Sequence, residues 1–258
     1  MQQSERVRTG IPGLDEMLNG GFLPRTANLV EGAPGCGKTT LGMQFIYHGA
    51  QAGEPGLILT FEQFPQQYYR DAASFGWDFR ALEKQGLLKV VMSSPEVALA
   101  DLERFNGKIA RLIHEMQAQR ILVESLSHFE RMSREPRELR TLLYSFFNAL
   151  KREGLVALLT RETYVLLGDE ESEDADQTNL GFLVDSYTLL RYVEIESAIR
   201  RAIIVLKMRG SAHDKRIRQF AIGSQGMVVQ DTFRGREGIM SGNPRQMAES
   251  FVKAFIRR

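Results

Sequence analysis

The sequence predicts a mainly parallel α/β sheet with helices on both faces and an antiparallel extension at one edge. Three observations carry that expectation. Short apolar runs rich in Val, Ile and Leu alternate with helical stretches as far as residue 160, the pattern of strands buried on both faces. A glycine-rich run, Gly32-Ala-Pro-Gly-Cys-Gly-Lys38-Thr39, stands between one such apolar run and a helical stretch. From about residue 187 onward the strand candidates are separated by turns alone, which calls for antiparallel pairing.

Taken in order, residues 27–31 read as a short buried strand that enters the glycine-rich run, and 39–51 as the helix that leaves it. Residues 57–61 are a second strand, followed by a helical stretch over 65–75. Residues 87–92 make a third strand and 120–124 a fourth. Between these two, a single helix over 99–118 is expected, with Leu102, Phe105, Ile109, Leu112, Ile113 and Met116 on one face. Residues 155–160, 187–193, 202–207 and 219–222 complete the strand set. No internal repeat and no Pro/Gly/Ser linker divides the chain, so residues 1–234 are expected to form one domain and 235–258 a tail.

Composition agrees with one α/β domain: 258 residues, 43% apolar and 25% charged. With 33 basic against 32 acidic side chains the formal charge is +1, so no overall field draws nucleic acid or an anionic membrane. The single cysteine excludes an intrachain disulfide, and no apolar run approaches the roughly 20 residues of a membrane span. The first residues carry no apolar signal region, which makes the cytoplasm the expected compartment.

The chemistry starts at the glycine-rich run. Gly32, Gly37, Lys38 and Thr39 meet the G-x-x-x-x-G-K-[ST] spacing of a phosphate-binding loop. Glycines let successive N–H groups converge on phosphate oxygens, and the helix N-terminus adds partial positive charge. Lys38 is placed to reach the β and γ phosphates of ATP, and the Thr39 hydroxyl to ligate magnesium. Gly35 and Cys36 serve through their backbone, with Cys36 expected to be an inert thiol. Two carboxylates stand at ends of apolar strands. Glu124 closes Ile121-Leu-Val-Glu124 and is a metal candidate, one methylene longer than the usual aspartate, so that coordination runs through water or is weakened. Glu62, followed by Gln63, is placed to orient the attacking water as general base and is a second metal candidate.

These residues, with Thr9-Gly-Ile-Pro-Gly-Leu-Asp-Glu-Met-Leu-Asn-Gly-Gly21, Ser74-Phe-Gly-Trp-Asp78 and Lys207-Met-Arg-Gly-Ser-Ala-His-Asp-Lys215, resemble the KaiC branch of the RecA-like ATPases over nearly the whole chain. Tyr192-Val-Glu-Ile195, Phe233-Arg and Ser241-Gly-Asn-Pro244 look most like the C-terminal half of that family's tandem clock protein. The resemblance implies a RecA-like fold and a homohexameric ring with ATP between neighbouring subunits. One face would supply Gly32 to Thr40 and Glu62, with Ser74 as a further nucleotide contact. The other would supply Lys207 and Arg209 in trans, with His213 and the backbone of Met208, Gly210 and Ser211 against ribose and phosphate.

Three departures qualify what the resemblance implies. The family's second strand-end glutamate is here Gln63, which orients water but takes no proton, so hydrolysis is expected to be slow. The strand-end acid is Glu124 rather than aspartate. Where the clock protein carries its adjacent Ser-Thr phosphorylation pair, this chain has Gly181-Phe182, leaving Thr178 and Ser186 as the nearby hydroxyls.

The segment expected to line the ring's channel, 164–181, holds six acidic residues between 168 and 176 and no Lys or Arg, which repels a nucleic-acid backbone. In the tail, Asn243, Pro244 and Gln246 read as N-cap, first helical position and capping glutamine. A helix beginning there would place Met247, Phe251, Ala254 and Phe255 on one face amid Arg245, Lys253, Arg257 and Arg258. It would dock a partner protein, lie on a membrane surface or pack on its own ring. The reading is a ring ATPase whose nucleotide state controls the binding of a signalling partner. Its rivals are an ATP-binding scaffold with negligible turnover and a DNA-handling ATPase.

Overall fold

The computed structural model describes residues 5–104, 107–133, 135–163 and 180–233, together with the backbone of 236–237 and 245–246. Its central element is a nine-stranded sheet of order β3-β2-β4-β5-β1-β6-β7-β8-β9. Six strands run parallel: β1 (Ala27–Gly32), β2 (Gly56–Thr60), β3 (Leu88–Met92), β4 (Arg120–Glu124), β5 (Val156–Glu162) and β6 (Ser186–Ile195). Three more continue antiparallel from β6: β7 (Ala198–Met208), β8 (Arg218–Gly223) and β9 (Gly226–Thr232). The expected fold class, an α/β sheet with an antiparallel edge, is the one observed.

The period-2 alternation of the strands divides the core in two. Leu29, Leu57, Leu59, Ile121, Val123 and Leu159 face one layer, built from α5 (Pro95–Glu103), α6 (Lys108–Met116) and α7 (Pro136–Arg152). Val30, Ile58, Leu122, Leu158 and Leu190 face the other. That second layer holds α1 (Leu14–Met17), α2 (Lys38–Gln51), α3 (Pro65–Ser74) and α4 (Phe79–Lys84). No helix among the described residues is long and apolar enough to cross a membrane.

Two expectations need correction. The single helix over 99–118 is two helices: Ser94 caps α5 by accepting from Val97 N at 3.3 Å, with Pro95 in the first turn, and Gly107 caps α6. Leu102 on α5 and Ile109 and Ile113 on α6 enter the same core layer, so the apolar spacing survives while the axis breaks at a glycine that disfavours helix interiors. Phe105 lies outside the described residues.

In the tail, Arg236–Glu237 (β10) pairs antiparallel with Arg245–Gln246 (β11), so residues expected in a first helical turn are extended. Proline's fixed φ suits an extended entry as well as a helical one, so Pro244 could not tell the two apart. The remaining positions of the expected tail helix, the acidic run 168–176 and Thr178 lie outside the described residues. The sequence reading also contains no counterpart to α4, α7 or β9.

Candidate functional site

The parallel strands deliver their carboxyl ends to one rim of the sheet, where a cavity of about 430 Å³ opens. Gly35, Gly37, Lys38, Thr39 and Thr40 line it from the β1–α2 loop and the first turn of α2, Glu62 and Gln63 from beyond β2, and Glu124 from the end of β4. At the loop's first glycine, Gly32, a Cβ would come within 2.6 Å of Cys36 Sγ and 2.7 Å of Leu190 O. Gly37, at φ 113°, would drive a Cβ to 2.6 Å from Ile222 Cδ1. The loop therefore has its shape because these positions lack side chains. Cys36 is fully buried, and burial pushes its thiol up despite the nearby Lys38, as suits a position used for its backbone.

Lys38 is itself buried, its Nζ donating to the carbonyls of Gly32 at 2.9 Å and Ala33 at 3.0 Å across the loop. The next side chain, Thr39, donates its hydroxyl hydrogen bond to Glu124 Oε1, while Tyr68 donates to Glu124 Oε2 at 2.8 Å. Burial pushes the Glu124 carboxyl up, and the Thr39 and Tyr68 hydrogen bonds and the Lys38 charge act against it. Burial and the Glu124 charge push the Tyr68 hydroxyl up, so it remains a donor. Glu62 lies at the mouth with its side chain 70% exposed, Oε2 at 3.3 Å from His128 Nε2. Beside it, Gln63 Oε1 is buried in the cavity wall without a hydrogen-bond partner among the described residues.

This arrangement fits a nucleoside triphosphate with magnesium. The loop's glycines leave no room for side chains, Lys38 brings a cation to the cavity, and the donors are hard oxygens from Thr39, Glu124 and Glu62. No group of three His, Cys, Asp or Glu that could hold a metal occurs among the described residues. Magnesium needs only one or two protein ligands beside phosphates and water.

The other predicted contacts lie elsewhere in the chain. Lys207 Nζ donates to the carbonyls of Gly181 at 2.5 Å and Val184 at 2.9 Å, and Arg209 Nη2 to Phe182 O at 2.5 Å; neither lines the cavity. Met208 is buried at the end of β7, and Gly210 follows at φ 70°. Ser211 Oγ accepts from Arg6 at 2.7 Å and donates to Ala212 O, while His213 Nε2 is buried without a partner among the described residues. Ser74 donates to Asp71 O at 2.6 Å at the end of α3. Ser186, one of the two hydroxyls near Gly181-Phe182, is buried and donates to Asn28 Oδ1 at 2.7 Å, so it is withdrawn from the surface.

Sequence reasoning missed Arg201. On β7, opposite Tyr192 on β6, it lines the cavity with its guanidinium 5.8 Å from the Tyr192 ring and its Nε buried without a partner among the described residues. Only the strand register brings it to the loop, and no local motif announces it.

Comparison with known proteins bears on the whole chain. Residues 7–233 match the family model described as the KaiC ATPase. The circadian clock protein KaiC3 of a Synechocystis species is 39% identical over 248 residues, 96% of this chain and 48% of that protein. The circadian clock oscillator protein KaiC of Thermostichus vulcanus is 36% identical over 243 residues, 94% and 46% respectively. The chain thus spans about half the length of the curated relatives it matches. Among solved structures, a KaiC-like protein from the hyperthermophilic archaeon Pyrococcus horikoshii OT3 superposes with a TM-score of 0.76 at 32% identity, covering 88% of this chain and 99% of that one.

Proposed function

The chain belongs to the KaiC family of ATPases, and on that premise we propose that it binds ATP with magnesium at the β1–α2 loop and hydrolyses it slowly, as a ring whose nucleotide state governs a signalling partner. The observation that carries this is the convergence, in one cavity, of a side-chain-free phosphate cradle with Lys38, Thr39, Glu124 and Glu62.

In this reading the loop amides grip the triphosphate and Lys38 exchanges its carbonyl partners for the β and γ phosphates. A bound magnesium ion would supply neutralisation of the charge that grows on the phosphates. Thr39 would be its ligand, and Glu124, already joined to the Thr39 hydroxyl, would hold that hydroxyl in place. Glu62 orients the attacking water and takes its proton. Gln63, beside it in the cavity wall, takes no proton, which keeps turnover low.

A neighbouring subunit of a homohexamer supplies Lys207 and Arg209 to the phosphates, with His213 and the 208–211 backbone beside them. Ser74 is a further nucleotide contact, and residues 1–234 act as the ATPase module while the tail serves the partner.

Phosphate release measured with ATP and magnesium tests this, together with mass by light scattering with and without the nucleotide. The expected result is slow turnover in the parent, lost in Glu62→Gln and in Arg209→Ala, and a mass several times that of the monomer when ATP is present. Gln63 also favours a second reading, an ATP-binding scaffold. Tight ATP binding with no turnover in the parent would establish it, and stimulation by single-stranded DNA at physiological salt would instead indicate a DNA-handling enzyme.

A further inference from the structure

We propose that His128 is a positioning residue for Glu62, donating from Nε2 to the Glu62 carboxylate and holding it over the mouth of the phosphate cavity. The inference rests on the reading of Glu62 as the group that orients the attacking water.

Glu62 needs such a restraint. Its turn is fixed through the backbone alone, by Thr60 Oγ1, which accepts from Glu62 N at 3.4 Å and from Gln63 N at 3.2 Å. Beyond Cα the side chain runs into solvent, and a long, rotatable carboxylate left there samples many rotamers of which few face the cavity. The Nε2 atom of His128, 3.3 Å from Oε2, is the hydrogen-bond partner the structure gives that carboxylate. An ionised carboxylate only accepts, so Nε2 carries the hydrogen. At 3.3 Å the contact is long, in the range catalytic hydrogen bonds occupy before substrate closes a site.

His128 in turn has little freedom. It sits in the short 3-10 helix Leu126–Arg131, and both flanking residues are locked. Ser127 Oγ accepts from Glu162 N at 3.0 Å. Phe129 is fully buried, its ring 5.6 Å from that of Phe61 and 4.8 Å from that of Phe146. One residue further, Glu130 accepts from Arg161 Nε at 2.8 Å. The His128 ring, 16% exposed, also meets Phe61 edge-on at 6.3 Å, and Phe61 is the residue that leads into Glu62. A rigid imidazole and the start of a mobile carboxylate thus share one aromatic contact. A pair this exposed adds little to stability, so its purpose is better sought in the geometry of the carboxylate.

The test measures phosphate release and nucleotide Kd on the full chain. His128→Ala should lower kcat about tenfold through the misplaced carboxylate while Kd stays at the parental value. His128→Gln, which restores an N–H donor at similar reach, should recover much of the loss, and His128→Ala should add nothing in a Glu62→Gln background. A second measurement needs no nucleotide: the ring nitrogen NMR signals of His128, one of four histidines, should move in Glu62→Gln.

Unmoved signals, or parental kcat in His128→Ala while Glu62→Gln is inactive, overturn the positioning role and leave the reading of Glu62 intact. Parental turnover in Glu62→Gln, or no turnover in the parent, overturns that reading and the inference with it.

Discussion

Asp214 shows how one carboxylate can hold a loop closed. Its Oδ1 accepts from the backbone N of Arg216 at 3.0 Å, and its Oδ2 from the side chains of Arg216 at 2.9 Å and Arg218 at 2.8 Å. Its own backbone N donates to Met17 O at 2.8 Å, tying the loop before β8 to α1. The hydrogen bonds from Arg216 first, then those from Arg218, hold its carboxyl well below the usual carboxylate range. A folded pKa below the unfolded one means stability that is present above the ordinary aspartate value and is lost as pH falls through the folded value. Asp214→Asn should therefore lower the unfolding midpoint at pH 7, modestly, because Arg216 faces solvent and water screens the pair. The difference from the parent should shrink as the pH drops below about 4. Thermal melts across that range check this, and a difference that stays constant from neutral to strongly acid pH would refute the assignment.

At the scale of elements, a buried amide helps fasten the antiparallel edge to the parallel sheet's helical layer. Gln44, buried on α2, donates from Nε2 to Met227 O at 3.1 Å and accepts at Oε1 from Met227 N at 2.7 Å, pairing both backbone groups at the start of β9. Gln44→Ala strands those two groups in the core and should cost about 2–6 kcal/mol in denaturant unfolding, since each buried unpaired group costs about 1–3 kcal/mol. Amide exchange at Met227 should rise ahead of exchange in β1. The difficulty of seeing this clamp in the sequence is general. The phosphate loop was legible because its function is local: a spacing, two glycines and a helix start within eight residues. The parallel strands were legible because apolar runs record burial on both faces. Gln44, Arg201 and His128 carry no local mark, because each acts on a partner that strand register or helix packing brings to it from a distant part of the chain. The α5–α6 break falls between these cases: Ser94, Pro95 and Gly107 were visible, but a continuous apolar face outweighed them.

At the scale of the whole molecule, the cations that the proposed ring would bring to the phosphates do not line the cavity of their own chain. Lys207 and Arg209 rest on carbonyls of residues 181–184 in their own chain, and burial and the neighbouring Arg209 charge draw the Lys207 amine below its ordinary value. A cation hydrogen-bonded to neutral carbonyls gains by meeting an anion, so the proposed ring gives both residues the phosphates of the adjoining copy as partners. A site divided between subunits makes a prediction that a self-contained site does not. Glu62→Gln subunits lack the water-orienting carboxylate but keep Arg209, whereas Arg209→Ala subunits lack the trans cation but keep Glu62. Each pure population should be inactive. After co-assembly from equal parts, random placement around a closed ring gives about a quarter of the interfaces an intact Glu62 and an intact Arg209 together, so about a quarter of parental phosphate release should return. Recovery that appears only when the two populations are disassembled and reassembled together with ATP and magnesium would tie activity to the shared interface. A mixture that stays inactive although light scattering shows mixed rings would mean that Arg209 acts within its own chain.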